Sequence, residues 1–287
     1  LAGRVEEKNF KYLGFQINQE NDKIILDHTD YVHSLRNLTM DPERAKQKHD
    51  ILSIEEQTLF RKLVGQLNWV VQTSRPELSF EMVDLSTKLK EANVSDLLHA
   101  IKVVNRLKDM KSIVCFPKLE NPHTDWKMVV FTDASLGNLN NGVGSTGAHV
   151  LWIKDRKGNC CPIAWQTNKI KRVVRSTIAA EALSLQEGLE SAAFYKKLLE
   201  GIIGHQLAVE AYIDNKSVIE SLNSTKLVDD RRLRIDIAAI SETVNNEKNT
   251  SVKWCAGKNQ LANCMTKRGA SGLELLQIVQ SGKFIQD

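Results

Sequence analysis

Four polar residues in a set order constrain this chain more than any other feature. Asp133 closes the apolar run KMVVFTDAS, Glu181 lies in the helical pattern STIAAEALSLQEGLE, and Asp214 closes a second apolar run, VEAYIDNKS. Asn263 follows at the expected start of a last helix, NQLANCMTKRG, after the strand-like TSVKWCAG. Acids at the ends of two neighbouring strands, with a third on a helix packed over the sheet, would converge on one point. Bare carboxylates that close repel and resist ionising, so a divalent cation is their natural partner. Two cations about 4 Å apart are the machinery of many phosphoryl-transfer sites. Magnesium, with manganese as a substitute, suits such oxygen ligands because it keeps some waters and needs only a few carboxylates. Each residue alone has a plainer reading. A strand-end Asp is commonly a turn or cap residue, Asp214 before Asn215 could cap a helix, and Glu181 could be an exposed helix glutamate. Order and element type together favour the shared site, with an amide in place of a fourth acid.

The chain has 287 residues, 42% hydrophobic and 26% charged, which is enough for a buried core and one to three globular domains. No apolar run approaches the roughly 20 residues needed to cross a bilayer, so no membrane partner is expected. The N-terminal LAGRVEEKNF has neither a signal-peptide apolar region nor an initiator Met, and a segment of something longer is expected. Five cysteines without a CxxC pair suggest no disulfide framework or zinc site and fit a reducing compartment. The net charge of +4 fits nucleic acid without requiring it. Its distribution says more: Lys169, Lys171, Arg172 and Arg175 precede the Glu181 helix, and Arg231, Arg232 and Arg234 form a second cluster. A solvated face is the plain reading of each run; beside a phosphodiester site they would hold backbone phosphates.

The first 32 residues read as a hairpin, with NFKYLGFQI going out, NQEND turning and KIILDH returning. A polar stretch at 38–51 follows. Ser53 and Glu56 form a capping box that opens a helix carrying Leu59, Leu63, Leu67 and Val70 on one face. Arg75-Pro76 breaks the pattern and starts a second helix, and Ser95 is expected to cap a third, with Leu97, Leu98, Ile101, Val104 and Leu107 on one face. An irregular stretch at 112–125, with Pro117 and Pro122, marks the expected domain boundary. Strands are then predicted at 127–133, 143–153, 160–166, 207–213 and 250–255. Helices are predicted at 176–200, 215–223, 231–247 and 259–281. Three strands followed by alternating helices and strands predict a mixed sheet.

The stretch FTDAS…STIAAEALSLQEGLESA…YIDNKSVIE…RLRIDIAAISE…QLANCMTKRGA resembles the ribonuclease H domain of copia-type LTR retrotransposon Pol polyproteins, over roughly 126–285. The resemblance implies that Asp133, Glu181 and Asp214 are metal ligands and catalytic residues, with Asn263 in the fourth aspartate position. The loop histidine common in that fold is replaced by Ala256-Gly257-Lys258. The first half resembles the end of the reverse transcriptase region of the same polyproteins. NFKYLGFQINQENDKIILDHTDYV is similar to the primer-grip hairpin, and FRKLVGQLNW to the first thumb helix, which puts Gly65 and Trp69 on the face that tracks the template–primer. Without the resemblance, Gly65 could equally serve close helix packing and Trp69 a core. The polymerase carboxylates should lie upstream, with the palm and fingers, so this chain carries no polymerase active site.

These readings imply an α/β fold: a ribonuclease H-like mixed five-stranded sheet with helices, preceded by a β-hairpin and a small helical thumb domain. The expected domains are 1–115 and 126–285. The implied function is binding of RNA/DNA hybrid, through Gly65, Trp69, Lys169, Lys171, Arg172, Arg175, Arg231 and Arg234, and two-metal hydrolysis of its RNA strand. Selectivity would come from 2′-hydroxyls in a wide, shallow minor groove. The expected location is intracellular: cytoplasm, virus-like particle or nucleus. The alternative is a hybrid-binding module with weakened or lost catalysis, since Glu242, Glu247 and Glu274 do not fall in the position of Asn263. A structural fold without a nucleic-acid role would instead need the basic clusters scattered in space.

Overall fold

A computed structural model describes residues 8–139, 142–224, 230–246 and 249–284. The N-terminal half holds strands β1 (Asn9–Tyr12), β2 (Phe15–Gln19) and β3 (Lys23–Asp27) and helices α1 (Thr29–Ser34), α2 (Pro42–Lys46), α3 (Ile54–Thr73), α4 (Ser79–Thr87) and α5 (Val94–Arg106), followed by strand β4 (Ile113–Pro117). Next come β5 (Lys127–Leu139), β6 (Gly144–Lys154), β7 (Cys160–Ile170), α6 (Thr177–Ile203), β8 (Ala208–Ile213), α7 (Lys216–Asn223), α8 (Arg231–Asn246), β9 (Thr250–Trp254) and α9 (Leu273–Ser281).

Several local expectations need correction. The run NFKYLGFQI is itself a tight hairpin, turning at Leu13 and Gly14, both with positive φ, so β1 pairs β2 and β2 pairs β3. The stretch expected to be irregular contains β4, because the β-branched run around Ile113 and Val114 can pair antiparallel with β3. Asn93, not Ser95, caps α5 and shares a reciprocal box with Asp96. The expected helix at 259–281 is two 3-10 turns (Gly257–Asn259 and Asn263–Met265) and then α9. Gly269 at φ +76° and the tight approach of Gly272 to Glu77 break the helical course between them. The Ser53–Glu56 box does open α3, with both bonds made.

The larger sheet runs β7-β6-β5-β8-β9, with β5/β6 and β6/β7 antiparallel and β5/β8 and β8/β9 parallel. Alternation along β5 sends Met128 and Val130 into a core with α6 and α8, and Val129 and Phe131 into a core with α9. This sheet and its helices are ribonuclease H-like.

The helical half is not a loose appendage. Leu139, at the end of β5, is buried in the helical core with Phe60, Leu67 and Leu85. Trp165 Nε1 donates to Val71 O at 2.9 Å, and Arg268 pairs with the buried Asp84 of α4. These contacts tie α3 and α4 to β7 and to the loop after Asn263.

Small residues let α6 lie close to the sheet. The Ser184 hydroxyl donates to Asp133 O (2.8 Å) and accepts from Ala148 N–H (3.2 Å). At Gly188 a Cβ would meet Thr132 Cγ2 at 2.5 Å and Val130 Cγ1 at 3.3 Å. Gly188→Ala should therefore destabilise the protein by about 1–3 kcal/mol, since overpacking forces helix and strand apart. Urea unfolding checks this, and an unchanged midpoint would contradict the close contact.

Candidate metal centre and nucleic-acid surface

Strand register brings the two aspartates level. Phe131 faces Tyr212 across the parallel β5/β8 pair, with rings stacked at 5.1 Å. Asp133 lies two residues further along β5 and Asp214 directly follows the end of β8, so both aspartates stand at the same end of the paired strands. Gln260 holds this end together: its Nε2 donates to Thr132 O at 3.0 Å and sits 3.4 Å from Tyr212 O. The capping duty after β8 falls to Asn215, whose side chain accepts from Val218 N–H, so Asp214 is not the helix cap. Glu181 projects from the same α6 face as Ser184 and Gly188, one and two turns later.

One ligand oxygen from each of Asp133, Glu181 and Asp214 lies within 4.8 Å of the others. Asp133 and Glu181 are buried and Asp214 is half-buried. Asp133 accepts from the Thr266 hydroxyl and from Lys267 Nζ, the latter at 3.3 Å. Glu181 accepts from Ala134 N–H, but its Oε2 is buried without a hydrogen-bond partner. Burial first, and then the charges of Asp133 and Asp214, push the Glu181 carboxyl well above its ordinary range. Asp133 also shifts upward through burial, opposed by Lys267 and Thr266. An all-oxygen donor set with an orphaned buried acceptor fits a hard divalent cation.

Asn263 reaches this cluster indirectly. It sits in the 3-10 turn Asn263–Met265, and its Oδ1 accepts from Lys267 Nζ at 2.5 Å. Glu274 lines a different cleft, with Phe131 and Tyr212, and Glu247 lies outside the described residues. Sequence reasoning missed Lys267 and Gln260. The signal was there in the stretch QLANCMTKRGA, which carries the resemblance and contains both residues, with Lys267 four residues after Asn263.

Gly65 and Trp69 lie one turn apart on the exposed side of α3. Nothing lies within 4 Å of a Cβ built at Gly65, so close helix packing does not explain it. Trp69 is 38% exposed and leans on Phe15 and His28 of the hairpin region. Lys169 lines a cleft of about 630 Å³ between the halves, with Asn68 and Gln72 of α3 opposite Gln166 and Asn168 of β7. Arg172, Arg175 and Arg231 line a second cleft of about 270 Å³, joined by Arg232. Within it Arg172 makes a two-pronged pair with Asp236, at 2.8 and 3.1 Å. Lys171 and Arg234 line neither cleft.

Over 176 residues the chain is 27% identical to a transposon Ty5-1 protein of Saccharomyces cerevisiae, covering 57% of this chain and 54% of that protein. It thus spans about half the length of that curated relative. No protein-family model matches. A foamy-virus protease–reverse transcriptase solved with RNA/DNA hybrid is 13% identical, covering 87% of this chain and 29% of that one, with a TM-score of 0.48. Ribonuclease H1 of Halobacterium salinarum is 17% identical, covering 47% of this chain and 89% of that one, with a TM-score of 0.35. The fold defines the class: a ribonuclease H-like unit joined to a helical unit and a small antiparallel sheet. Over the matched 176 residues the chain is similar to a transposon protein, and its five-stranded sheet has the strand order expected of a ribonuclease H-like fold. Among the described residues no helix is long and apolar enough to cross a membrane.

The raised Glu181 carboxyl makes a signed prediction. The neutral form favours folding, so its contribution is complete below the ordinary value of 4.5 and is lost as pH rises through the raised folded value. In EDTA at pH 8, Glu181→Gln should be more stable than the parent by on the order of 1 kcal/mol, and the difference should vanish near pH 4. Urea unfolding at the two pH values reads this out, and a Gln variant less stable at pH 8 would contradict it.

Proposed function

We propose that this segment binds RNA/DNA hybrid and hydrolyses its RNA strand in a divalent-cation-dependent reaction. The context would be reverse transcription of a copia-type LTR retrotransposon, with the palm and fingers supplied upstream. The observation that carries the reading is the trio of Asp133, Glu181 and Asp214, with ligand oxygens within 4.8 Å, on a ribonuclease H-like sheet. Kinship to a transposon protein supports the biological setting, and the quoted motifs support the copia type.

Asp133, Glu181 and Asp214 would hold magnesium, or manganese in its place. Bound there, a divalent cation supplies positive charge that activates water and steadies the leaving oxygen. The chain's own residues would place the substrate. Lys169 with Asn68 and Gln72, and Arg175, Arg231 and Arg232 in the second cleft, offer donors to backbone phosphates without reading sequence. Gly65 and Trp69 present the thumb-like face to the same duplex. Lys171 and Arg234 would add charge at its margin.

A second reading, a hybrid-binding module without cleavage, is favoured by the neutral amide of Asn263 beside Lys267. Labelled hybrid separates the two. The proposal expects the RNA strand alone to be cut, with magnesium or manganese and not in EDTA. Asp133→Asn should slow cutting by about 100-fold or more, equivalent to roughly 2.7 kcal/mol, while hybrid affinity changes little. Cleavage surviving in Asp133→Asn would contradict the proposed site, and tight hybrid binding with no cleavage would select the second reading.

A further inference from the structure

Lys267 is held too firmly to be an incidental surface lysine. On one side, Thr266 is anchored three ways: its hydroxyl donates to Asp133, and its carbonyl accepts from Asn138 Nδ2 and from Thr146 Oγ1 at 3.1 Å. On the other side, Arg268 pairs with the buried Asp84 of α4. One residue earlier, Met265 O accepts from the Thr167 hydroxyl at 3.1 Å. From this anchored backbone the Lys267 ammonium reaches to 3.3 Å from Asp133 Oδ1 and 2.5 Å from Asn263 Oδ1. It lies between the carboxylate and the residue in the fourth position.

We propose that the Lys267 ammonium permanently fills one of the two cation positions of this centre, so that the chain holds a single divalent cation on Asp133, Glu181 and Asp214. The inference deepens, and rests on, the cation-dependent reading above. Charge balance supports it. Four carboxylates, at −4, match two divalent cations. Here three carboxylates, once a bound cation has ionised them, give −3, which one ammonium and one divalent cation neutralise. The amide accepts a hydrogen bond from the ammonium through its carbonyl oxygen and adds no charge of its own. A second divalent cation would meet the ammonium beside Asp133 and would lack the fourth carboxylate to offset that repulsion. The Lys267 side chain is 41% exposed, while that of the Asp133 it pairs with is wholly buried.

The test is manganese stoichiometry on the whole chain, freed of metal with EDTA and titrated while free Mn2+ is followed by electron paramagnetic resonance. The parent should bind one Mn2+ per chain. Lys267→Met and Lys267→Gln should each open a second, weaker site, and Asn263→Asp combined with Lys267→Met should tighten it by about tenfold or more, one fourth-ligand charge being worth at least 1.4 kcal/mol here. Thermal unfolding confirms that each variant is folded. Two Mn2+ bound to the parent would overturn the proposal, as would a single Mn2+ in folded Lys267 variants. Cleavage is scored separately. One bound Mn2+ without hybrid cleavage defeats the hydrolysis reading and leaves this inference standing, whereas two with cleavage does the reverse. No Mn2+ at millimolar concentration overturns both.

Discussion

Like charge held at close quarters is the constraint around which the rest of this structure is arranged. Carboxylate oxygens of Asp133, Glu181 and Asp214 share a space 4.8 Å across, and two of the three side chains are buried. Burial and mutual repulsion both act against ionisation there, which is why Asp133 and Glu181 are displaced upward. A fold tolerates such a cluster only if the backbone leaves it no escape and positive charge relieves it. The described residues provide Lys267 as relief, with the lone buried Glu181 Oε2 still unpartnered.

The means of enforcement are ordinary packing. Parallel pairing of β5 with β8 sets the two aspartates level, and Gln260 stitches the ends of those strands. Ser184 and Gly188 let α6 lie against β5, so Glu181 cannot withdraw without lifting a helix off the sheet. Leu139 and the Arg268–Asp84 pair then join this centre to the helical half. The cluster, the cleft lined by Lys169 and the exposed face of α3 thus belong to one packed body rather than to separate modules.

Much of this arrangement could be read in the chain because it follows from local rules. The short apolar runs ending at Asp133 and Asp214 were of strand length, and the α6 stripe of Ile178, Ala182, Leu185 and Leu189 had helical spacing. The capping box at Ser53 was legible because both partners lie three residues apart. What could not be read depends on distant contacts. The last helix breaks where Gly272 meets Glu77, a residue of the other half. β4 exists because β3 offers it a partner. Lys267 lies in the stretch QLANCMTKRGA, but its place at Asp133 depends on Thr266 and Arg268, whose partners are far away in sequence. Asn263 stood out by its place in a pattern, but its contact is with an ammonium rather than directly with the carboxylates.

The account stands or falls on whether this trio of carboxylates holds a divalent cation. Anomalous diffraction from crystals soaked in Mn2+ asks the question directly. The account predicts a manganese peak at bonding distance from oxygens of Asp133, Glu181 and Asp214, with the Lys267 ammonium still beside Asp133. Full occupancy of manganese elsewhere, with no peak among these three side chains, would contradict it.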